Sequence, residues 1–170
     1  MGRTVDLLEI LLVEDDVEER AHLVRSLRKT KTRNRVHFAN DGVEAILFLR
    51  KQGPYEDAPT PDIVLLDQVI PRMSGREVLE TMRRDPALNH VPVALLSSGS
   101  VSEALPRNRC DGRECRLRKP LDLGQFERVL RSLEKAGAGL QRGPAESPPA
   151  HDVAGEPRPD PEPTSRELED

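Results

Sequence analysis

The stretch Ile63–Gly75, with the sequence IVLLDQVIPRMSG, decides the fold of this chain. Four apolar residues run into the carboxylate of Asp67, and the proline and glycine that follow indicate a turn. A short continuous apolar run bounded by turn residues is typical of a buried strand in a parallel sheet. Asp67 would then lie at the carboxyl end of that strand, where open α/β sheets bind ligands. Because a buried charge is costly unless it is paired, we expect other parts of the chain to supply partners for Asp67.

Four further stretches have strand patterns, and helical periodicity separates them. Glu9–Val13 and Val91–Leu96 are predominantly apolar, whereas Arg35–Ala39 and Glu114–Arg118 alternate, as half-exposed edge strands do. These patterns predict an α/β fold of five βα units with a doubly wound, five-stranded parallel sheet of order 2-1-3-4-5, whose second and fifth strands are edges. Five predicted helix starts carry a capping side chain followed three residues later by Glu or Gln: Asp16/Glu19, Asp41/Glu44, Ser74/Glu77, Ser100/Glu103 and Asp122/Gln125.

Composition divides the chain into three parts: an N-terminal extension (1–7), a folded domain (8–136) and a tail (137–170). The tail holds seven of the 15 prolines and eight acidic residues against three basic ones. It has too few large apolar residues to offset its ordering entropy, so we expect a flexible acidic extension, solvated in preference to partner-bound. The formal net charge of −4 is therefore concentrated in the tail, and the folded part gives no case for nucleic-acid binding.

No apolar run approaches the roughly 18 residues that a membrane span requires, and the charged N-terminus lacks a signal-peptide core. We therefore expect a cytoplasmic protein that does not enter the membrane. Cys110 and Cys115 are the only thiols. In a cytosolic chain, two reduced cysteines are expected in preference to a disulfide or half of a metal site.

Polar side chains follow the predicted strands at the edge where Asp67 lies. Glu14 and Asp15 end the first strand, which neighbours the strand of Asp67 in this topology. The repulsion among three carboxylates could be relieved by protonation or by a divalent cation, and oxygen-only ligands suit Mg²⁺. Ser97 adds a hydroxyl after the fourth strand, and Lys119 adds a point charge after the fifth, where a cis bond to Pro120 would aim it. Such a site suits phosphoryl transfer, with Asp67 as a nucleophile that forms an acyl phosphate.

Five motifs in order give the chain a clear resemblance to the receiver domain of two-component response regulators. They are LLVEDD (11–16), NDGxEA (40–45), LDxxxPxxxG (66–75), LSS (96–98) and KP (119–120). The resemblance covers residues 8 to 136 and implies a flavodoxin-like (βα)5 fold. The chain is more narrowly similar to the single-domain regulators paired with bacterial and cyanobacterial phytochromes. That likeness rests on FLR (48–50), an insertion at 53–61, PRMSGREVL (71–79), DPxL (85–88) and KPLDLxxF (119–126).

The resemblance implies a role for each matching residue. Asp67 would be the phosphoacceptor, Asp15 a direct Mg²⁺ ligand and Glu14 a ligand through water. The backbone carbonyl of Val69 would complete the protein ligands of the metal. The phosphoryl oxygens would be held by side chains that change position on activation: Ser97, Ser98 and Lys119.

Two departures from the family pattern bear on output. Arg116 stands where the family commonly has Tyr or Phe, three residues before the lysine, so it is either an ordinary exposed residue or part of a different signalling route. Pro106 interrupts the predicted fourth helix, which we expect to be short or irregular. Basic residues also cluster in this segment, as a solvated face or as a candidate interface for an acidic partner, the acidic tail or a second copy in a homodimer: Arg107, Arg109, Arg113, Arg116 and Arg118.

These observations predict a stand-alone phosphoacceptor switch, not an enzyme with an external substrate. A sensor histidine kinase, plausibly a bacteriophytochrome, would transfer phosphate to Asp67 in the presence of Mg²⁺, and altered protein–protein contacts would carry the signal. No DNA-binding domain is expected in the tail. The alternatives are a phosphate sink or relay intermediate without its own output, and a scaffold that acts without phosphorylation. A small Mg²⁺-dependent phosphatase is disfavoured because the sequence contains no lid domain of substrate size.

Overall fold

The computed structural model describes residues 7–98 and 110–135, which alternate strands and helices. The strands are β1 (Leu8–Val13), β2 (Asn34–Ala39), β3 (Ile63–Asp67), β4 (Val93–Ser97), β5 (Cys110–Asp111) and β6 (Glu114–Arg118). The α-helices in this part of the chain are α1 (Val17–Arg28), α2 (Gly42–Leu49), α3 (Gly75–Arg84) and α4 (Leu123–Lys135), and a 3-10 turn spans Gly53–Tyr55.

The sheet has the predicted parallel topology. Its order is β2-β1-β3-β4-β6-β5, and the first five of these strands are parallel to one another. β6 is the strand predicted as the fifth, so the doubly wound order 2-1-3-4-5 is confirmed. One feature was not predicted: β5 pairs antiparallel with the start of β6 and covers part of an edge that was expected to be open.

The core consists of two apolar layers, one on each face of the sheet. Leu23 of α1 and Phe126 of α4 pack on one face, whereas Val78 of α3 and Ile46 of α2 pack on the other. All five residues of β3 are buried, while the burial of β6 alternates along the strand, as the sequence patterns predict. A central strand covered on both faces must be apolar throughout, whereas an outer strand is covered less completely.

The helix starts follow the predicted capping pattern in part. Asp16, Asp41 and Ser74 each accept a hydrogen bond from the third backbone amide of their helix, but the reciprocal bonds of a capping box are complete only at Ser74. Asp122 similarly accepts hydrogen bonds from the amides of the first turn of α4. The predicted cap at Ser100 lies outside the described residues.

The cysteine prediction is wrong in this structure, because Cys115 is disulfide-bonded. Backbone pairing places Cys110 directly opposite it in the β5–β6 hairpin. The expectation of two reduced thiols was based on a cytosolic location. A cellular location does not predict whether two cysteines lie opposite each other in a hairpin.

Several predictions fall wholly or partly outside the described residues. They include the short fourth helix interrupted at Pro106, the flexible tail (137–170) and the N-terminal boundary at residue 7, so the predicted domain limits stay predictions. Within 7–98 and 110–135, no helix is long and apolar enough to cross a bilayer.

Candidate functional site

Three strands deliver the central side chains of the site to one edge of the sheet. Asp67 is the last residue of β3, Glu14 directly follows β1, and Lys119 directly follows β6. Because these strands are parallel, their carboxyl ends meet at the same edge. The two acidic residues are buried, with exposed fractions of 1% for Glu14 and 6% for Asp67. The structure therefore brings together three of the residues predicted for phosphoryl transfer.

The ammonium group of Lys119 lies among three carboxylates. Its Nζ donates to Oε2 of Glu14 at 2.7 Å and to Oδ2 of Asp67 at 2.7 Å, and it also donates to Oε2 of Glu19. An ammonium has three N–H donors, so these partners use all of them. The Lys119–Pro120 peptide bond is cis, as the sequence suggested.

Burial and charge act against each other in this cluster. Burial raises the pKa of Glu14, and the nearby charge of Asp67 adds to that rise, although hydrogen bonds from Lys119 and from the Asp16 amide oppose it. Burial alone would lower the pKa of Lys119, but hydrogen bonds to Asp67, Glu14 and Glu19 outweigh it and raise the pKa above the ordinary lysine value. Lys119 therefore stays protonated at neutral pH and acts as the counter-ion of the acidic pair.

Sequence reasoning missed Glu19. Its position, three residues after Asp16, predicted only a capping role. In the structure, the Asp16 amide instead donates to Oε1 of Glu14 at 3.1 Å, and the Glu19 side chain reaches Lys119. Asp15, predicted as a direct metal ligand, is exposed and lies outside the group of converging carboxylates. Its role as a ligand stays a prediction.

The other predicted residues lie around this centre. The Val69 amide donates to Oδ1 of Asp67 at 3.1 Å, and the residue is 79% exposed. Ser97 is half-buried at the end of β4, and its hydroxyl donates to the Leu117 carbonyl at 3.5 Å. Its own carbonyl accepts the Lys119 amide at 2.9 Å, which ties the lysine backbone to β4. Ser98, the next residue, is exposed.

The loop after Asp67 is held by close backbone contacts. A Cβ on Gly75 would lie 2.3 Å from the Asp67 carbonyl oxygen, so α3 can begin this close to β3 only at a glycine. A Cβ on Gly42 would likewise lie 2.3 Å from the Met73 carbonyl oxygen. Arg72 has a positive φ of 63°, and its Nε lies 3.1 Å from Oδ2 of Asp41. Gly42 thus lets the loop pack closely against α2, and Gly75 lets it pack closely against the end of β3.

The basic cluster, which we call the arginine face (Arg107, Arg109, Arg113, Arg116 and Arg118), is described only in part. Arg107 and Arg109 lie outside the described residues, whereas Arg113, Arg116 and Arg118 are exposed. The exposure of Arg116 agrees with an ordinary residue on an outer strand. The binding of a partner by this face stays a prediction.

The site fits a divalent cation by its donor chemistry. Carboxylate oxygens of Glu14, Glu19 and Asp67 all lie within 4.8 Å of one another, and the Lys119 ammonium stands where they converge. Oxygen ligands of this kind suit the hard cations Mg²⁺ and Mn²⁺. The three carboxylates carry more negative charge than one ammonium neutralises, so the cluster favours additional positive charge.

Comparison with known proteins agrees with the fold. The family model of the response regulator receiver domain matches residues 10–131, and the chain belongs to that family. It is a family of two-component signalling proteins.

Three response regulators are informative relatives of this chain. It is 32% identical over 126 residues to response regulator Rcp1 of Synechocystis sp., covering 74% of this chain and 85% of that one. A structure of Rcp1 in its Mn²⁺-bound form superposes with a TM-score of 0.56, at 27% identity over 75% of this chain and 92% of that one. The bacteriophytochrome response regulator AtBRR has a TM-score of 0.64, 33% identity and coverage of 76% and 94%. The phosphorylated cyanobacterial phytochrome response regulator RcpA has a TM-score of 0.56, 29% identity and coverage of 75% and 91%.

Proposed function

We propose that this chain is a single-domain response regulator that accepts a phosphoryl group on Asp67 from a sensor histidine kinase. The observation that carries the proposal is the Lys119 ammonium, which bonds the buried carboxylates of Asp67 and Glu14 at the carboxyl edge of the sheet. The phosphorylated state of the relative RcpA supports the same chemistry.

The residues of the site have separate tasks in this reaction. A carboxylate oxygen of Asp67 forms a bond to phosphorus while the bond from phosphorus to the donor breaks, and the donor keeps that bonding pair. The Val69 amide holds the other carboxylate oxygen in place. Lys119 supplies a positive charge within reach of the incoming phosphoryl oxygens, and Ser97 supplies a hydroxyl nearby.

We propose Mg²⁺ as the cofactor, held by Glu14, Asp15, Asp67 and the backbone carbonyl of Val69. The Mn²⁺-bound structure of Rcp1 and the converging carboxylates of this chain support that choice. The bound ion would neutralise negative charge on the transferring group.

The relatives guide the proposal for partners. Because AtBRR is a bacteriophytochrome response regulator and RcpA is a cyanobacterial phytochrome response regulator, we propose a bacteriophytochrome kinase as the phosphoryl donor. We also propose a cytoplasmic location and output through altered protein contacts. The arginine face is a candidate surface for a homodimer.

Phosphorylation of the full chain by acetyl phosphate and Mg²⁺, followed by mass-spectrometric site mapping, tests the central claim. We expect one phosphoryl group on Asp67 in wild type, none in Asp67→Asn, and an unchanged yield in the exposed-loop control Asp57→Asn. Label on another residue, or equal labelling of Asp67→Asn, would overturn the proposal.

Transfer from an autophosphorylated, ³²P-labelled bacteriophytochrome kinase tests the partner, and sedimentation with and without beryllofluoride tests the dimer.

A further inference from the structure

Glu19 occupies a helix position whose side chain normally serves the helix itself. In α3, Glu77 at the third helical position accepts a hydrogen bond from the Ser74 amide at 2.8 Å, which completes a capping box. In α2, Glu44 at the same position accepts the Asn40 amide at 2.6 Å. In α1, Glu19 makes neither kind of bond among the described contacts and instead accepts from Lys119. Glu19 therefore belongs to the functional site around Lys119.

Glu14 makes this diversion feasible. Its Oε1 accepts the Asp16 amide at 3.1 Å, the bond that a capping glutamate would otherwise make. Its Oε2 accepts from Lys119 at 2.7 Å. One buried carboxylate thus caps α1 and pairs with the lysine, and Glu19 loses no hydrogen bond at the helix start by turning toward Lys119.

The three carboxylates around Lys119 differ in their contact with water. The side chains of Glu14 and Asp67 are 1% and 8% exposed, whereas that of Glu19 is 45% exposed. Carboxylates that have lost their water gain most from a divalent ion, while a half-exposed one keeps much of its hydration. Mg²⁺ and a phosphoryl group on Glu14 and Asp67 would compete with Lys119 for those two carboxylates. Lys119 would then face the phosphoryl oxygens, and Glu19 would remain as its carboxylate partner.

We propose that Glu19 is a positioning residue that holds the Lys119 ammonium beside Asp67 once the buried acidic pair is occupied. This inference rests on the proposed phosphoacceptor function. Glu19 does not touch the reacting atoms and acts through the lysine. Without it, the long lysine side chain has no carboxylate to keep it at the site in the metal-loaded protein, and it must be ordered again for each phosphoryl transfer.

The test compares full-length wild type, Glu19→Gln and the matched control Glu18→Gln, whose glutamate is exposed in the same turn of α1. Two quantities are measured: the Mg²⁺ dissociation constant by calorimetry, and the rate of Asp67 phosphorylation by acetyl phosphate at saturating Mg²⁺. The ¹⁵N resonance of the Lys119 ammonium, assigned with Lys119→Arg, is recorded in Mg²⁺-loaded protein as a readout independent of activity.

We expect Glu19→Gln to slow phosphorylation about tenfold at saturating metal, the loss expected for one hydrogen bond to a charged group. The Mg²⁺ dissociation constant should stay within about twofold, the Lys119 resonance should shift, and Glu18→Gln should match wild type. An unchanged rate or an unmoved resonance in Glu19→Gln would overturn the inference. A loss explained entirely by weaker Mg²⁺ binding would also overturn it and make Glu19 a metal ligand. Failure of wild type itself to label Asp67 would refute the proposed function instead.

Discussion

Replacing Lys119 with methionine should destabilise the metal-free protein in a way that depends strongly on pH. Methionine is of similar length but donates no hydrogen bond, so the variant leaves Glu14 and Asp67 buried without a counter-ion. Removing one partner of a buried ion pair typically costs about 3–5 kcal/mol. The cost is large because a carboxylate without water or a partner is poorly solvated.

Protonation limits the cost of burying each carboxyl group. A carboxyl group with an unfolded pKa of roughly 4.3 can be kept neutral at pH 7 for about 3.7 kcal/mol, and at pH 5 for about 1 kcal/mol. Burial already raises the pKa of Glu14 in wild type, so part of this cost is present before the substitution. We therefore expect a difference in unfolding free energy of about 3 kcal/mol at pH 7 and a clearly smaller difference at pH 5.

The sign follows from the direction of each pKa shift. A carboxyl group whose folded pKa is raised stabilises the protein below its unfolded pKa, and that stability is lost as pH rises through the folded pKa. Removal of Lys119 raises the pKa of Glu14 further, so the variant loses stability between pH 5 and 7. The stabilising contribution of Lys119 in wild type has the same sign at a higher pH: because its pKa is raised, this contribution is fully present below the ordinary lysine pKa and is lost as pH rises through the folded value.

Urea unfolding with EDTA, followed by far-ultraviolet circular dichroism at pH 5 and pH 7, measures the effect. Lys135→Gln, at an exposed lysine in the last turn of α4, is the control and should match wild type at both pH values. A Lys119→Met difference that is the same at pH 5 and pH 7, or that is below about 1 kcal/mol at pH 7, would refute the reasoning.

Three further predictions concern the frame and the chemistry of the site. Gly75→Ala should cost about 1–3 kcal/mol in urea unfolding, because its Cβ would lie 2.3 Å from a carbonyl oxygen of β3; Gly124→Ala, where the nearest atom is a side-chain oxygen of Asp122 at 3.1 Å, should cost less. Arg83→Lys should cost about 1.5–3 kcal/mol, because the guanidinium bonds a carboxylate and three carbonyls of the loop and hairpin, while the exposed Arg84→Lys should not. The aspartyl phosphate should persist well beyond seconds in a chase without donor, because Val69 cannot orient an attacking water by a side-chain hydrogen bond; decay within seconds would contradict this.

Much of the fold and the centre of the site could be predicted because they depend on strong, regular patterns. A strand covered on both faces must be apolar, so β3 and β4 stand out, and the alternation in β2 and β6 marks the outer positions. Once the strand order is known, the carboxyl ends of neighbouring strands must meet. The convergence of Glu14, Asp67 and Lys119 follows from that topology and needs no knowledge of side-chain conformation.

Glu19 could not be assigned in the same way. A glutamate at the third position of a helix has two hydrogen-bonding routes, one back to the helix start and one outward, and local spacing predicts only the first. The choice at α1 depends on the Glu14 side chain, which takes the Asp16 amide. That contact joins the Glu14 side chain to a backbone amide, and it cannot be predicted from the periodicity of the sequence.

The β5–β6 hairpin was missed for a different reason. Two residues of β5 are too short a run for alternation to be detected. Gly112, with a φ of 61°, lies in the turn that joins β5 to β6. The disulfide at Cys115 belongs to this hairpin strand, so the same short pairing underlies both errors.

The lysine that lies among the carboxylates gives the acidic cluster an internal cation. Many proteins that gather several acidic side chains fold only when an ion arrives, because the empty site repels itself. Here the chain carries its own cation on a lysine side chain, which offsets part of that repulsion as soon as β1, β3 and β6 come together. We therefore expect the domain to stay folded when no divalent ion is bound.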